Sequence, residues 1–227
     1  MNTLSYRRGP GLAALIALPL AAALALAPTA ARAQVSSIGK GLMTLELGRG
    51  SMPVGAIATQ VADPGTDVPH STASATAFRL LAGYHFAEYL SVEVGITHVG
   101  FMKSSAVYAG TDVLRAQTTL QVIEGDLVGH WPFARNARVD LSLGIAETGL
   151  HTTLATQNGT ALPTGETGEQ KVRRLGPTAG LDLEYRLTDT TSVLIGYHAY
   201  AHVGSPVLRD SASGTASTLF AGAHFEF

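Results

Sequence analysis

An apolar period of two residues recurs through this chain and also ends it. Over residues 219–227, Leu219, Ala221, Ala223, Phe225 and Phe227 share one face, and Phe220, Gly222, His224 and Glu226 share the other. That is the alternation of a β-strand whose two faces meet different surroundings. Residues 78–86 repeat it, with Phe78, Leu80, Ala82, Tyr84 and Phe86 set against Arg79, Leu81, Gly83 and His85. Residues 90–97, 139–146, 180–187 and 192–198 do so again, and less regular strands are expected over 43–47 and 114–131. With the closing stretch this makes an expected eight strands.

The connections between these stretches fall into two kinds. Short turns are expected at 86–89, 134–137 and 188–190, and long Gly/Ser/Thr/Pro-rich stretches at 49–76, 103–112, 152–170 and 204–214. Short turns alternating with long loops are the pattern of a transmembrane barrel, with turns in the periplasm and loops outside the cell. The expected fold is therefore an all-β, eight-stranded antiparallel transmembrane β-barrel. It is an up-and-down meander with short periplasmic turns, longer extracellular loops and both chain ends in the periplasm. Across the three turns, same-face pairing should join His85 with Ser91, His130 with Asp140 and Arg186 with Ser192, with no bulge at any of them.

The first residues agree with export. Arg7 and Arg8 precede an apolar run over 11–28, and Ala31-Arg32-Ala33 stands before Gln34, the layout of a cleaved secretory signal. An uncleaved inner-membrane anchor is disfavoured because the run is short and interrupted by Pro19. The expected division is a signal peptide over 1–33 and one barrel domain over 34–227. Without the three leader arginines, twelve basic residues face seventeen acidic ones, a formal charge of −5. No Lys/Arg cluster offers a polyphosphate surface, so nucleic acid is not an expected partner. The absence of cysteine removes disulfides, thiolate nucleophiles and Cys-based metal sites.

Which face is wet separates two barrels. A lipocalin-like soluble barrel keeps its apolar residues inside around a ligand, whereas a membrane barrel turns them outward. The face that carries Phe225 and Phe227 is almost free of charge. The opposite face collects Glu46, Arg79, Glu93, Glu124, Asp126, Asp140, Arg174, Asp182, Glu184, Arg186 and Glu226. So many ionisable groups cannot line a dry pocket, because each unpaired buried charge is strongly unfavourable. The charged face is therefore expected to be a polar lumen, and the apolar face to meet lipid. In so narrow a bore the charges should pair, with Arg79 and Arg186 as keystones, and leave little or no pore. Phe86, Tyr89, Trp131, Phe133, Tyr185, Phe225 and Phe227 fall near the short turns, where an interfacial aromatic girdle is expected.

YHFAEYLSVEVGITHVG (84–100), HWPFARNARVDLSLGIAETG (130–149), GLDLEYRLTDTTSVLIGYHAY (180–200) and the terminal AGAHFEF together resemble the OmpA-like transmembrane domain, the eight-stranded outer-membrane barrel. The resemblance implies an outer-membrane location in a Gram-negative envelope, in contact with outer-membrane lipid and lipopolysaccharide. It implies biogenesis through periplasmic chaperones and the barrel-assembly machinery, with Phe227 resembling the assembly signal, and a monomeric barrel. No residues follow Phe227 here, so the peptidoglycan-binding domain that accompanies many such barrels is not expected.

Catalytic and metal chemistry were weighed against this. His198 and His202 share a strand face, and His224 on the closing strand points the same way, but no ligand spacing is fixed. They read as lumen hydrogen-bonding residues, and no metal or cofactor is expected. A lipid A deacylase-type hydrolase would need Ser, His and a carboxylate together near the outer end of a late strand. His202-Val203-Gly204-Ser205 occupies roughly that place, but Gly204 stands where the serine belongs. The expected function is a non-enzymatic integral barrel with a structural or surface role. A lipid A deacylase and a small low-conductance channel are the alternatives.

Overall fold

The computed structural model describes residues 38–53, 72–108, 112–156, 168–203 and 214–227. The expected leader over 1–33, Gly204 and Ser205 lie outside the described residues. Eight strands follow in chain order: β1 (Gly41–Pro53), β2 (Thr72–Ala87), β3 (Leu90–Tyr108), β4 (Asp112–Ala134), β5 (Ala137–Thr156), β6 (Glu169–Arg186), β7 (Thr191–Val203) and β8 (Gly214–Glu226). Each pairs antiparallel with the next, and β8 returns to β1, closing an up-and-down barrel. Lipid supplies no hydrogen bonds, so a spanning sheet must close to satisfy its own backbone. Phe227 takes part in the closure. Its N–H donates to the Gly41 carbonyl, and Gly41 donates back to the Phe227 carbonyl, both at 2.9 Å.

The alternation assigns the faces correctly. Val94, Ile96, Ile123, Leu143 and Ile145 face outward and are exposed, whereas Arg79, His85, Glu93, Asp140 and His224 face inward and are buried. Trp131 and Tyr185 mark the turn-side edge of the apolar wall. The outward charges Glu147 and Arg173 mark its other edge, where they pair at 3.3 Å. Along β5, Ala137 lies opposite Tyr185, and Glu147 stands ten residues further on. That is roughly 33 Å of strand, or about 25 Å along an axis tilted by roughly 40°, the height of a lipid-facing band.

The pairs His85 with Ser91, His130 with Asp140 and Arg186 with Ser192 stand in register. The expectation of turns free of bulges fails at two of the three. Register slips by one residue between His85 and Ala87 and again between Pro132 and Ala134. Phe86 and Phe133 are the extra residues, and both are exposed. Beside Phe133, Pro132 has no N–H to give to the ladder.

The long connections are also shorter than expected, because strands run into them. β3 extends to Tyr108 and β4 begins at Asp112, leaving only 109–111 between them. β4 has 23 residues, about twice what a tilted strand needs to cross the bilayer. A hairpin keeps its ladder beyond the lipid as long as neither strand meets a breaker, so Gly/Ser/Thr composition alone overestimates loop length.

Candidate functional site: the barrel lumen

The bore of an eight-stranded barrel is about one side chain wide, so inward residues from all strands meet at the axis. They form three layers. Nearest the short turns, Arg138 at the start of β5 reaches across the bore. Its Nε donates to Asp140 at 3.1 Å, Nη2 to Glu184 at 2.8 Å and Nη1 to Glu226 at 3.2 Å. His130 lies beside this group, 2.8 Å from Asp140 and 3.0 Å from Ser91, whose hydroxyl donates to Glu93 at 3.0 Å.

The second layer centres on Arg79 of β2. Its Nε and Nη2 donate to the two oxygens of Glu124 at 2.9 and 3.2 Å, and Nη1 donates to Glu46 at 3.1 Å. Asp126 stands 3.6 Å from Nη2. A guanidinium fork matched to a carboxylate is the strongest geometry such a pair can adopt. The network runs on through hydroxyls. Thr97 donates to Glu124 at 2.9 Å, and with its proton so committed it accepts from the Tyr200 hydroxyl at 3.2 Å. His198 Nε2 lies 3.0 Å from Arg79 and 2.9 Å from Asp182. Between the two arginine layers lies a cavity of about 20 Å³, bordered by Glu46, Arg79, Asp140, Glu184 and His224 and also by Leu81, Val128 and Leu194. It has room for about one water molecule.

The third layer, toward the extracellular side, is mainly apolar, with a buried Thr118–Thr152 hydroxyl pair at 2.9 Å. Met52, Val99, Met102, Leu120, Val122, Leu150, Tyr200 and Phe220 pack into one buried cluster, and the Phe220 ring lies 6.1 Å from that of His198. The expectation of a polar, charge-filled lumen describes the two arginine layers and not this third one. Among the described residues no inward cation is buried above Arg79 to balance carboxylates, and the bore is packed mainly with apolar side chains instead.

Of the expected lumen charges, Glu46, Arg79, Glu93, Glu124, Asp126, Asp140, Glu184 and Glu226 are buried, and Asp182 is nearly so. Arg174 and Arg186 differ. Arg174 keeps the inward parity but is exposed toward the extracellular end of β6, and Arg186 is half-buried at the periplasmic rim. Neither forms an ion pair among the described residues. The second keystone is Arg138, which the sequence reading missed. It stands two positions before Asp140 on the same face, and that parity was the available signal.

The expected girdle residues Phe86, Tyr89, Trp131, Phe133, Tyr185 and Phe227 are exposed around the short-turn end, with Phe225 half-buried among them. Tyr84, also exposed there, was missed. Two glycines make room for girdle rings: a Cβ on Gly41 would meet the Phe227 ring at 2.7 Å, and one on Gly129 the Trp131 ring at 3.0 Å. The three imidazoles do not converge. His198 is engaged with Arg79 and Asp182, His224 lies 2.9 Å from Thr44, and His202 is exposed with a φ of 58°.

A closed barrel with a charge-poor outer wall, an aromatic girdle at the turn end and ion pairs along its axis defines a small outer-membrane barrel. The profile of the outer membrane protein beta-barrel domain family matches residues 13–226, and the chain belongs to that family. Its place is therefore the outer membrane. The barrel is similar in shape to Neisserial surface protein A, at 13% identity and a TM-score of 0.55 over 83% of this chain and 97% of that one. Ail of Yersinia pestis matches at 10% identity and a TM-score of 0.46, over 84% and 99% of the two chains. OprG of Pseudomonas aeruginosa matches at 13% and 0.45, over 86% and 99%. No curated protein matches the sequence.

Proposed function

We propose that the chain is a non-enzymatic integral barrel whose bore is closed to passage and whose role lies in its lipid-facing wall and extracellular loops. The observation that carries this reading is the double filling of the bore, by two guanidinium-centred layers and by the apolar cluster above them. Its partners are outer-membrane lipid and lipopolysaccharide around the wall. During biogenesis they are periplasmic chaperones and the barrel-assembly machinery. The barrel works as a monomer, a reading supported by a sheet that pairs all its own edges and leaves none for a neighbour.

The hydrolase alternative lacks support among the described residues, where the exposed His202 has no carboxylate partner. Incubating the assembled barrel with lipopolysaccharide tests the reading directly. No acyl chain should be released above a protein-free control, and catalytic release would replace this reading with the lipid hydrolase.

A further inference from the structure

His85 is the anomaly of the lumen. Its side chain is 1% exposed, yet neither ring nitrogen has a hydrogen-bond partner among the described residues. A buried imidazole pairs at least one nitrogen in nearly every protein, because leaving both unpaired is costly. Its surroundings suggest what it awaits. His85 Nε2 lies 3.7 Å from Glu226 Oε1, and His224 Nε2 lies 3.9 Å from that same oxygen. The three ligand atoms all fall within 4.8 Å of one another.

Arg138, which can only donate, points Nη2 at His224 Nε2 from 3.5 Å, so Nε2 is the unprotonated nitrogen, and an ion bound there would replace this long contact. The proton then sits on Nδ1, which donates to Thr44 Oγ1 at 2.9 Å, the outer hydrogen bond that commonly orients a metal-bound imidazole. Charge points the same way. Around Arg138 stand Asp140, Glu184 and Glu226, one more carboxylate than Arg138 and Lys40 together neutralise.

We propose that His85, His224 and Glu226 form a binding site for one borderline divalent transition ion of the Zn²⁺ class. Two imidazole nitrogens and a carboxylate oxygen are the ligand set such ions prefer, with the fourth position open to water. Ligand atoms at about 2.0–2.1 Å from a tetrahedral ion lie roughly 3.4 Å apart. The two imidazole-to-carboxylate distances, 3.7 and 3.9 Å, must therefore shorten, and the two imidazole nitrogens must close from within 4.8 Å. No hydrogen bond holds the His85 ring, which would supply part of that movement by turning against the His130 ring, 4.8 Å away. The ion would join β2 to β8 across β1, stapling the seam where the first and last strands meet. A second triad, Glu46, Asp182 and His198, offers one imidazole and two carboxylates, a harder ligand set that suits such an ion less well.

The test uses the assembled wild-type barrel in detergent micelles, stripped of metal with a chelator and titrated with Zn²⁺ by calorimetry and with Co²⁺ by visible absorption. Expected are one equivalent bound, the strong visible bands of four-coordinate Co²⁺, and a rise in unfolding temperature with Zn²⁺. His85→Gln should weaken binding at least tenfold and abolish the thermal shift. Glu226→Gln should do the same and serves if the first variant does not assemble. His98→Ala and His151→Ala, at exposed imidazoles, should bind as wild type does. Failure of the wild type to bind, or undiminished binding by the variants, overturns the proposal, as does loss of binding in the surface-histidine controls.

Discussion

A guanidinium placed among carboxylates on several strands couples those strands in one network, so its removal is felt well beyond its own position. Arg138 links β5 to β6 and β8, and its three nitrogens each go to a different carboxylate. Arg138→Ala would leave Asp140, Glu184 and Glu226 facing one another without their buried cation, a loss of about 3–5 kcal/mol for breaking a buried charge network. Arg138→Lys should recover only part, because one ammonium cannot reproduce a planar fork spread over three acceptors. Arg186→Ala, at a half-buried rim position with no ion pair among the described residues, should stay within about 0.5 kcal/mol of wild type. Urea unfolding in micelles, read by tryptophan fluorescence and the gel shift on heating, ranks the three. Equal losses at Arg138 and Arg186 would contradict the network as drawn. Arg79 was legible in the sequence because it sits mid-strand between Phe78 and Leu80, in the middle of a clean alternation. Arg138 was legible only through its two-residue spacing from Asp140, because it follows Ala137 at the lip of a turn, just outside the clean alternation of residues 139–146.

At the scale of the strand, the seam between β1 and β8 is where closure is tested. Gly48 lies opposite Phe220 there, and a Cβ at Gly48 would run into the backbone carbonyl of Leu219. That neighbour is backbone and cannot swing aside, so Gly48→Ala should cost about 1–3 kcal/mol, as overpacking does. Gly125→Ala, where an added methyl meets nothing within 4 Å, is the matched control and should be near neutral on the same unfolding assay. Phe227 acts at the other end of the seam, through its paired bonds to Gly41 and its exposed ring. Deleting it, or Phe227→Asp, should lower the assembled fraction and induce envelope stress while export across the inner membrane continues; normal assembly would remove it as a recognition element. The strands themselves were readable because lipid and lumen impose opposite polarity on successive residues. Where both faces are apolar that contrast vanishes. Leu120, Val122, Leu150 and Phe220 all carry inward parity, yet hydropathy alone could not distinguish a packed outer lumen from a second lipid face. Turn bulges were hidden for a related reason, since alternation records facing and not the extra residue that a rim can absorb.

For the molecule as a whole, the order of the layers decides what can cross it. An ion entering from the periplasmic end meets Arg138 and its carboxylates first, then a cavity of about 20 Å³, then the Arg79 layer. Beyond Arg79 it would have to shed its water to pass Tyr200, Phe220, Leu120 and Met102, all buried members of one packed cluster. The two barriers differ in kind, since the charged layers offer ionic partners to an ion and the apolar layer offers only a few hydroxyls. Wild-type barrel in planar bilayers should therefore show no steady conductance, with at most brief, small, cation-preferring events. Phe220→Ala alone should remain closed, because the Arg79 fork to Glu124 still fills the bore below it. Combining Phe220→Ala with Arg79→Ala removes one element of each barrier and should raise the frequency of openings above either single variant. Single-channel recording on purified, heat-modifiable monomer separates the outcomes. A large, stable and weakly selective conductance from the wild type would mean that the bore rearranges in lipid, and that the protein conducts as a general porin.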